Sequence, residues 1–556
     1  MKELFKGKRL FRSEVTEMDS SSSQSLTEKD ADDQYGSIHR QLETRHVQLI
    51  SIGGSIGTGL FVTIGTGLIT GGPLGLFLAY CFWTTVVGIL ITAVGEFVCY
   101  LPIASPFVAM AGRCVDEALE CCAGWNFFIA QALSIPFEIT AVNSMIHFWR
   151  DDYSPAITLC IEIFIYAFLN VFAVSYYGES EFWLSIGKLV LCIGLIFFTF
   201  ITMCGGNPQH DAFGFRNWNV SGGPFAEYIT TGSLGKFEGF LGALLGLACF
   251  TVVGVEYMSM VAAEAKNPRK TMVTAFKTVS VRLVLFFILG SLSVTILVAY
   301  NDPYFVKMSS AASNAAASPY VIAMQNMGIK VLPSIVNALV LSSAFSTGNS
   351  CTYCSSRALY GLAKRGFAPK FLRKCTERGV PIYCVAIACC FSLLSLLQLG
   401  STSQKALSYM VNLCTGSFVI NYAFMSVTYI GFYRACKAQN IDRKSFNYVS
   451  WGQPYTTYVA CFFFWIVVGI LGYSVFIPGR WAVDTFLFSY LMVFINIAIF
   501  TFWKVFKKTK LVKPEEADLK SGLEEIEEHE YQYYAELEAK GKSDDGIFKK
   551  LFSWVL

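Results

Sequence analysis

Charge is what this sequence lacks most. Charged residues make up 15 % of its 556 residues against 54 % hydrophobic, and the mean hydropathy is +0.48. Soluble globular domains are nearer one quarter charged, so an ordinary soluble protein is excluded and a chain with many membrane spans is indicated. The net charge is only +3, and because the charges are segregated along the chain it says little about partners; no nucleic-acid partner is expected. A secretory leader is also missing from the pattern: the basic "MKELFKGKRLF" is followed by no apolar core before residue 47, so no cleaved signal is expected. No nucleophile–base pair or phosphate loop stands outside the apolar runs, so no enzyme chemistry and no cofactor are expected. The 18 cysteines lie mostly inside apolar runs, as with Cys121 and Cys122 or Cys389 and Cys390. They read as small buried hydrophobes rather than a disulfide or zinc framework, and Cys351 and Cys354 form a CxxC within an apolar helical run where no metal is expected.

What is present is a succession of long apolar runs between two polar tails. Residues 1–45 carry "SSSSQS" and "EKDADD", a composition that predicts a disordered tail. Runs of bilayer-crossing length, roughly 20 residues, follow at 47–70, 73–100, 124–148, 155–175, 182–204, 240–263, 281–300, 331–361, 382–399, 405–432, 457–477 and 484–505. The expected fold class is therefore an all-α polytopic membrane protein of twelve transmembrane helices, with a membrane domain over 46–508 and a C-terminal tail over 509–556. In that tail "LEEIEEHEYQYYAELEAK" reads as an acidic helix, solvated in the simplest case, and "FKKLFSWVL" as a basic amphipathic patch.

Twelve spans put both tails on one side. The loop 264–282 holds Lys266, Arg269, Lys270, Lys277 and Arg282; the loop 362–381 holds Lys364, Arg365, Lys370, Arg373, Lys374 and Arg378; the loop 433–456 holds Arg434, Lys437, Arg443 and Lys444. The loops 205–239 and 301–330 are poorer in cations. The excess of Lys and Arg places the rich loops and both tails in the cytoplasm. The sequon at Asn219 then falls outside, as a glycosylation site requires.

Polar residues inside the runs carry the functional signal. The first run contains "SIGGSIGTGLF", with Gly53, Gly54, Gly57 and Gly59. Gly53 and Gly57 have the spacing of a helix-packing seam. The density of glycine, with Ser55 and Thr58 among it, equally fits a break whose free N–H groups hold an anion such as a carboxylate. "CFTVVGVEYMSM" in the sixth run offers a second break at Gly254, followed by Glu256. Interrupted first and sixth helices occupy corresponding places in two five-helix halves, the pattern that marks a transporter binding site. Further charges sit at Glu96, where reaching the interface suffices as an account, and at Glu138 after Pro136, Glu162 and Lys188. Lys188 either snorkels to the cytoplasmic face or needs an internal partner and can carry a proton. The eighth run holds Ser343, Ser346, Thr347, Asn349, Ser350 and Thr352. They line a polar pathway or make ordinary helix–helix hydrogen bonds.

The strings "RHVQLISIGGSIGTGLFVTIG", "YYGESEFWLSIGKL", "EAKNPRKT", "YNDP", "SSRALYGLAKRGFAPK" and "GVPIY" occur in the family order over about Arg45 to Lys508. The chain thereby resembles the yeast amino-acid transporter group of the amino acid–polyamine–organocation superfamily. "WNFFIAQALSIPFEI", "IHFWRDDYS" and "WGQPY" resemble its branch of broad-specificity permeases for amino acids, carnitine and polyamines, and "AYNDP" resembles the dicarboxylic amino-acid permeases. This resemblance implies a plasma-membrane, proton-coupled symporter working by alternating access, with an inverted 5+5 repeat fold and discontinuous first and sixth helices. It implies substrate carboxylate binding at Ser55, Ile56, Gly57, Thr58 and Gly59. Carbonyls near Phe250, Thr251 and Val253 are implied to accept from the substrate amino group, with Glu256 steadying the sixth helix or the cation. Lys188 is the implied proton-coupling group, faced by Ser346 and Thr347.

The chain departs from the pattern at "PIASPF", with Pro106, and at Val252 and Val253. These departures turn the expectation toward organocations, for which aromatic faces and a carboxylate such as Glu138 or Glu256 suit a quaternary ammonium. The rival expectations are a transporter-like sensor that signals through its tails and a sodium-coupled carrier, against which the charge of Lys188 argues. Trafficking or ubiquitination machinery is the partner expected at the tails, beside the substrate, protons and the lipid bilayer.

Overall fold

The computed structural model describes residues 53–539 apart from Ser55, Asp151, Ala173, Val261, Ala263, Glu264 and the segments 311–317, 377–378 and 400–402. The expected N-terminal tail, Ser55 and the terminal basic patch lie outside the described residues. Among the described residues every regular element is helical. A π-turn at Gly59–Thr63 leads into α1 (Ile64–Tyr100), which turns at Gly72, φ +69°, and so holds two apolar segments. There follow α2 (Pro106–Cys114), α3 (Glu117–Ile146), α4 (Pro155–Phe172), α5 (Val174–Met203) and α6 (Gly232–Ala243). Beyond α6 a π-turn at Leu244–Ala248 carries the helix to Thr251. Then come α7 (Val255–Met260), α8 (Pro268–Leu283) and, through a third π-turn, α9 (Leu289–Leu297). The chain continues through α10 (Pro303–Ser310), α11 (Pro319–Asn326), α12 (Leu332–Lys364), α13 (Ile382–Ser392), α14 (Ser403–Ala438), α15 (Tyr455–Ile470), α16 (Val483–Lys507) and α17 (Leu523–Ala539).

Among the described residues nine helices are long and apolar enough to cross a membrane; the first of these is the 42-residue stretch broken at Gly72, and α15 is a shorter apolar helix. α3 and α12 pack most extensively and form the centre of the bundle. Of the apolar window of α3, 83 % is buried; of that of α16, only 17 %. The outer helices show why. Phe164, Phe168 and Phe172 stack along the exposed face of α4, and α5 exposes Phe197, Phe200 and Ile201. Apolar faces of this extent are unstable in water and stable against lipid.

Hydrogen bonds sort the connections onto two faces. On one, Val512 N–H donates to Val115 O (2.8 Å), Gln439 Nε2 to Ala517 O (2.7 Å), and His529 Nε2 meets Lys266 O (3.0 Å). Arg365, bonded to Glu120 and Ala104 O, joins the same face. The three cation-rich loops and the C-terminal tail therefore share one side. On the other, Asn217 Nδ2 donates to Ile296 O (2.8 Å), Gln209 Nε2 to Asn326 O (3.1 Å), and Asn219 is exposed. The tail departs from the solvated helix expected. Leu519 and Ile526 are buried, Tyr534 accepts from Asn267 (2.8 Å), and Glu530 pairs with Arg269 (3.4 Å).

Glu96 does not reach the interface. It is fully buried and receives Arg443 through Nε (2.5 Å) and NH2 (2.8 Å), the Tyr429 hydroxyl (2.8 Å) and Ser450 N–H (3.0 Å). A two-pronged guanidinium–carboxylate contact of this kind fixes direction as well as distance. It pins the end of α1 to the loop after α14.

Candidate functional site

The first break is real backbone geometry. Gly53 and Gly54 are helical, Ile56 and Gly57 are not, and helix resumes at Thr58. The carbonyls freed by a break need partners, and α12 supplies them: Ser343 Oγ (3.2 Å) and Thr347 Oγ1 (3.1 Å) donate to Ile56 O. The second break runs from Val252 to Gly254, whose φ of +138° suits glycine and almost no other residue. Tyr422 of α14 donates to Val252 O (3.1 Å), and Glu256 accepts weakly from Gly254 N–H (3.3 Å). Each break is bordered by a π-turn, a feature frequent at functional sites.

Between the breaks lies a cavity of about 40 Å³ bordered by Gly57, Glu138, Phe250, Thr251, Val253 and Thr347. Sites that enclose a small ligand run to ~300–1,000 Å³, so the cavity in this arrangement of the helices is too small to enclose one. Phe137, Phe250 and Phe418 meet edge-on and tilted along one wall, with ring centroids 4.9 and 6.4 Å apart. Tyr257 borders the cavity too; its hydroxyl donates to Gln131 (2.8 Å) and lies 3.4 Å from Cys351 Sγ. The Val253 N–H already occupies the Thr251 carbonyl (3.1 Å), while the Thr251 side chain is taken by Tyr80 (2.8 Å).

Glu138 enters from α3, two residues past Pro136, which cannot donate to its own helix ladder. Thr58 Oγ1 donates to Glu138 Oε2 (3.0 Å). A β-carbon built on Gly57 would lie 2.6 Å from Glu138 Oε1 and 3.0 Å from Thr347 Cγ2, so the glycine is there for closeness. Gly59 abuts Thr251 in the same way, at 2.6 Å. Glu256 faces its own helix start and does not border the cavity.

Lys188 is 1 % exposed and does not snorkel. Its Nζ donates to Gly53 O (2.5 Å) and to Thr347 Oγ1 (3.0 Å), tying α5 to the helical turn before the first break and to α12. Ser346 departs from expectation: it donates to Glu181 Oε1 (2.7 Å) and Oε2 (2.8 Å), not toward Lys188. Glu181, which sequence reasoning missed, is fully buried 4.0 Å from Lys188 Nζ. Glu162 is buried on α4, where the Tyr166 hydroxyl donates to it (2.7 Å) and to Phe345 O (3.0 Å); below it Asn170 meets Asn349 (2.9 Å). The hydroxyl-rich run of α12 thus serves both purposes, helix contact on one side and the lining of the breaks on the other.

A lipid-facing helical bundle with two interrupted helices meeting at a small cavity that Glu138, Thr347 and an aromatic wall border is the architecture of a membrane transporter. The comparisons say which. The amino acid permease family model matches residues 46–515, and the chain belongs to that family. It is 46 % identical over 512 residues to the general amino acid permease AGP2 of Saccharomyces cerevisiae, covering 89 % of this chain and 85 % of that one. It is 37 % identical to the dicarboxylic amino acid permease of the same yeast, over 91 % of this chain and 84 % of that one. The fold is similar to that of the Eremococcus coleocola manganese transporter at a TM-score of 0.53, with 12 % identity over 83 % of this chain and 94 % of that one. The resemblance read from the motifs is thereby established: the chain is a multi-pass membrane protein, a permease and not an enzyme.

Proposed function

We propose that this permease is a plasma-membrane proton symporter for amino acids or related organocations such as carnitine and polyamines. It has twelve spans in an inverted 5+5 repeat and both tails in the cytoplasm. One observation carries the coupling: the Lys188 ammonium is held between Gly53 O of the broken first helix and Thr347 of α12. A cation fixed there repels sodium, and losing its proton would weaken its hold on the first helix, because an amine donates more weakly than an ammonium. The substrate carboxylate is assigned to the N–H groups of Ile56, Gly57, Thr58 and Gly59, and the amino or ammonium end to Glu138 and the aromatic wall. The twelve spans follow if the stretch broken at Gly72 counts as two and if α12 and α15 also cross.

The test is uptake of labelled amino acids, carnitine and spermidine by permease-deficient yeast, with and without a protonophore. Uptake that collapses with the proton gradient, and is lost in Lys188→Ala, is expected. Sodium-dependent uptake surviving Lys188→Ala would overturn the coupling. Surface protein that admits none of these compounds would leave the sensor reading in its place.

A further inference from the structure

Glu181 lies about two turns before Lys188 on the same face of α5, and its carboxylate is fully buried. The pair is not closed. Nζ and Oε1 stand 4.0 Å apart, while the short bonds of the ammonium go to Gly53 O and Thr347 Oγ1. Gly53 also rests on the acid: a β-carbon built there would fall 2.2 Å from Glu181 Oε1 and 2.4 Å from Ser185 Oγ. Gly53, in the helical turn before the first break, therefore takes a hydrogen bond from the lysine and leaves beside it the space that the carboxylate fills. A purely structural ion pair gains by closing, because two desolvated charges are offset only by good geometry. Here the first helix holds it open.

The direction is fixed by the fold. α3 begins on the face that carries the C-terminal tail, so α4 ends and α5 begins on that face, and Glu181 is nearer to it than Lys188 by about 10 Å along the helix. We propose that Glu181 is the inner acceptor of the proton that Lys188 carries; this rests on the proton-coupled reading above. When the first helix swings from α5, Gly53 O leaves the ammonium and the lysine N–H points to Glu181. The N–H bond breaks and an O–H bond forms, so an ammonium and a carboxylate become an amine and a carboxylic acid. The acid then gives its proton to water on the tail side and returns to carboxylate. Lys188 is reprotonated from the opposite side in the next cycle. Ser346, donating to both oxygens, favours the carboxylate and so favours release.

The surroundings leave Lys188 as the ionic neighbour of this group among the described residues. α12 presents hydroxyls at this level, its cations Arg357 and Lys364 lying about three turns or more beyond. α9 has no charged residue, and Glu162 is the charge of α4. Glu138 stands across Thr347, and Glu179 on α5 itself is exposed.

The experiment uses the full chain in liposomes, with labelled L-glutamate, L-proline and L-lysine as probes. Two rates are read for the probe that the native chain takes up: exchange against unlabelled probe at equal pH, and accumulation under an imposed proton gradient. Glu181→Gln, which still accepts from Ser346, is expected to exchange within about twofold of native and to lose at least tenfold in accumulation, with Glu181→Asp recovering part of it. Ser346→Ala keeps the carboxylate, and is expected to move the dependence of uptake on internal pH to the alkaline side. Native-like accumulation in Glu181→Gln would overturn the proposal, as would exchange and accumulation falling in equal proportion. An unmoved pH profile in Ser346→Ala would overturn it even if Glu181→Gln does not fold. A native chain that exchanges probe but accumulates none under the gradient would sink the proton-coupled reading, and this proposal with it.

Discussion

Gly57 and Glu138 occupy the same few ångströms: the place where a β-carbon on Gly57 would stand is 2.6 Å from Glu138 Oε1. The first break and α3 close on one another only because that carbon is missing. Gly57→Val should reach the cell surface and lose at least tenfold in uptake, since the added branch displaces both Glu138 and Thr347. Surface-labelled protein with native uptake would return the glycine to the role of a packing seam.

Glu138→Gln keeps the shape and the acceptor for Thr58 and removes the charge. Uptake of cationic and quaternary substrates should fall at least fivefold more than that of neutral ones. Equal losses, measured side by side in a competition panel, would make the residue a brace for Thr58.

The clamp on Glu96 predicts a stability effect away from the cavity. Arg443→Ala leaves a fully buried carboxylate with the Tyr429 hydroxyl and the Ser450 N–H but no cation. Breaking one side of a buried pair costs about 3 kcal/mol or more. Thermal unfolding of the purified variant should shift downward by several degrees, and an unshifted transition would contradict the clamp.

The tail contact is weaker and should behave so. Arg269→Glu sets like charges at the Glu530 contact, which is partly exposed. Pairs near the surface are worth about 1 kcal/mol or less, roughly a fivefold change in the docked fraction. Protease cleavage between 509 and 523 should accelerate about that much, and Arg269→Glu with Glu530→Arg should restore the native rate. Failure of the double exchange to rescue would show that the pair does not hold the helix.

The reach of sequence reasoning follows from where partners come from. Both breaks were legible because glycine announces itself locally, in "GGSIGTG" and at Gly254. Lys188 was legible because a lysine deep in an apolar run has few excuses. Glu181 was not: in "YYGESEFW" it reads as one more charge at a helix start, and its hydrogen-bond partner Ser346 is 165 positions away. The i, i+7 spacing to Lys188 was the only local signal. Glu96 misled for the same reason, its partner Arg443 being 347 positions distant. Phe137, Phe418 and Tyr257 were hidden by composition, since an aromatic facing the cavity and one facing lipid look alike in a chain with 15 % aromatics.

The docked tail also bears on how the protein is handled. Leu519 and Ile526 are buried in the apolar core, so trimming the chain after Lys508 to obtain a tidier preparation would uncover the apolar surface they pack against. A fluorescent or affinity handle that drags α17 away would do the same. Either manipulation makes a different surface rather than a shorter version of the same one, and a handle on the opposite face, near the exposed Asn219, would leave the docked tail intact.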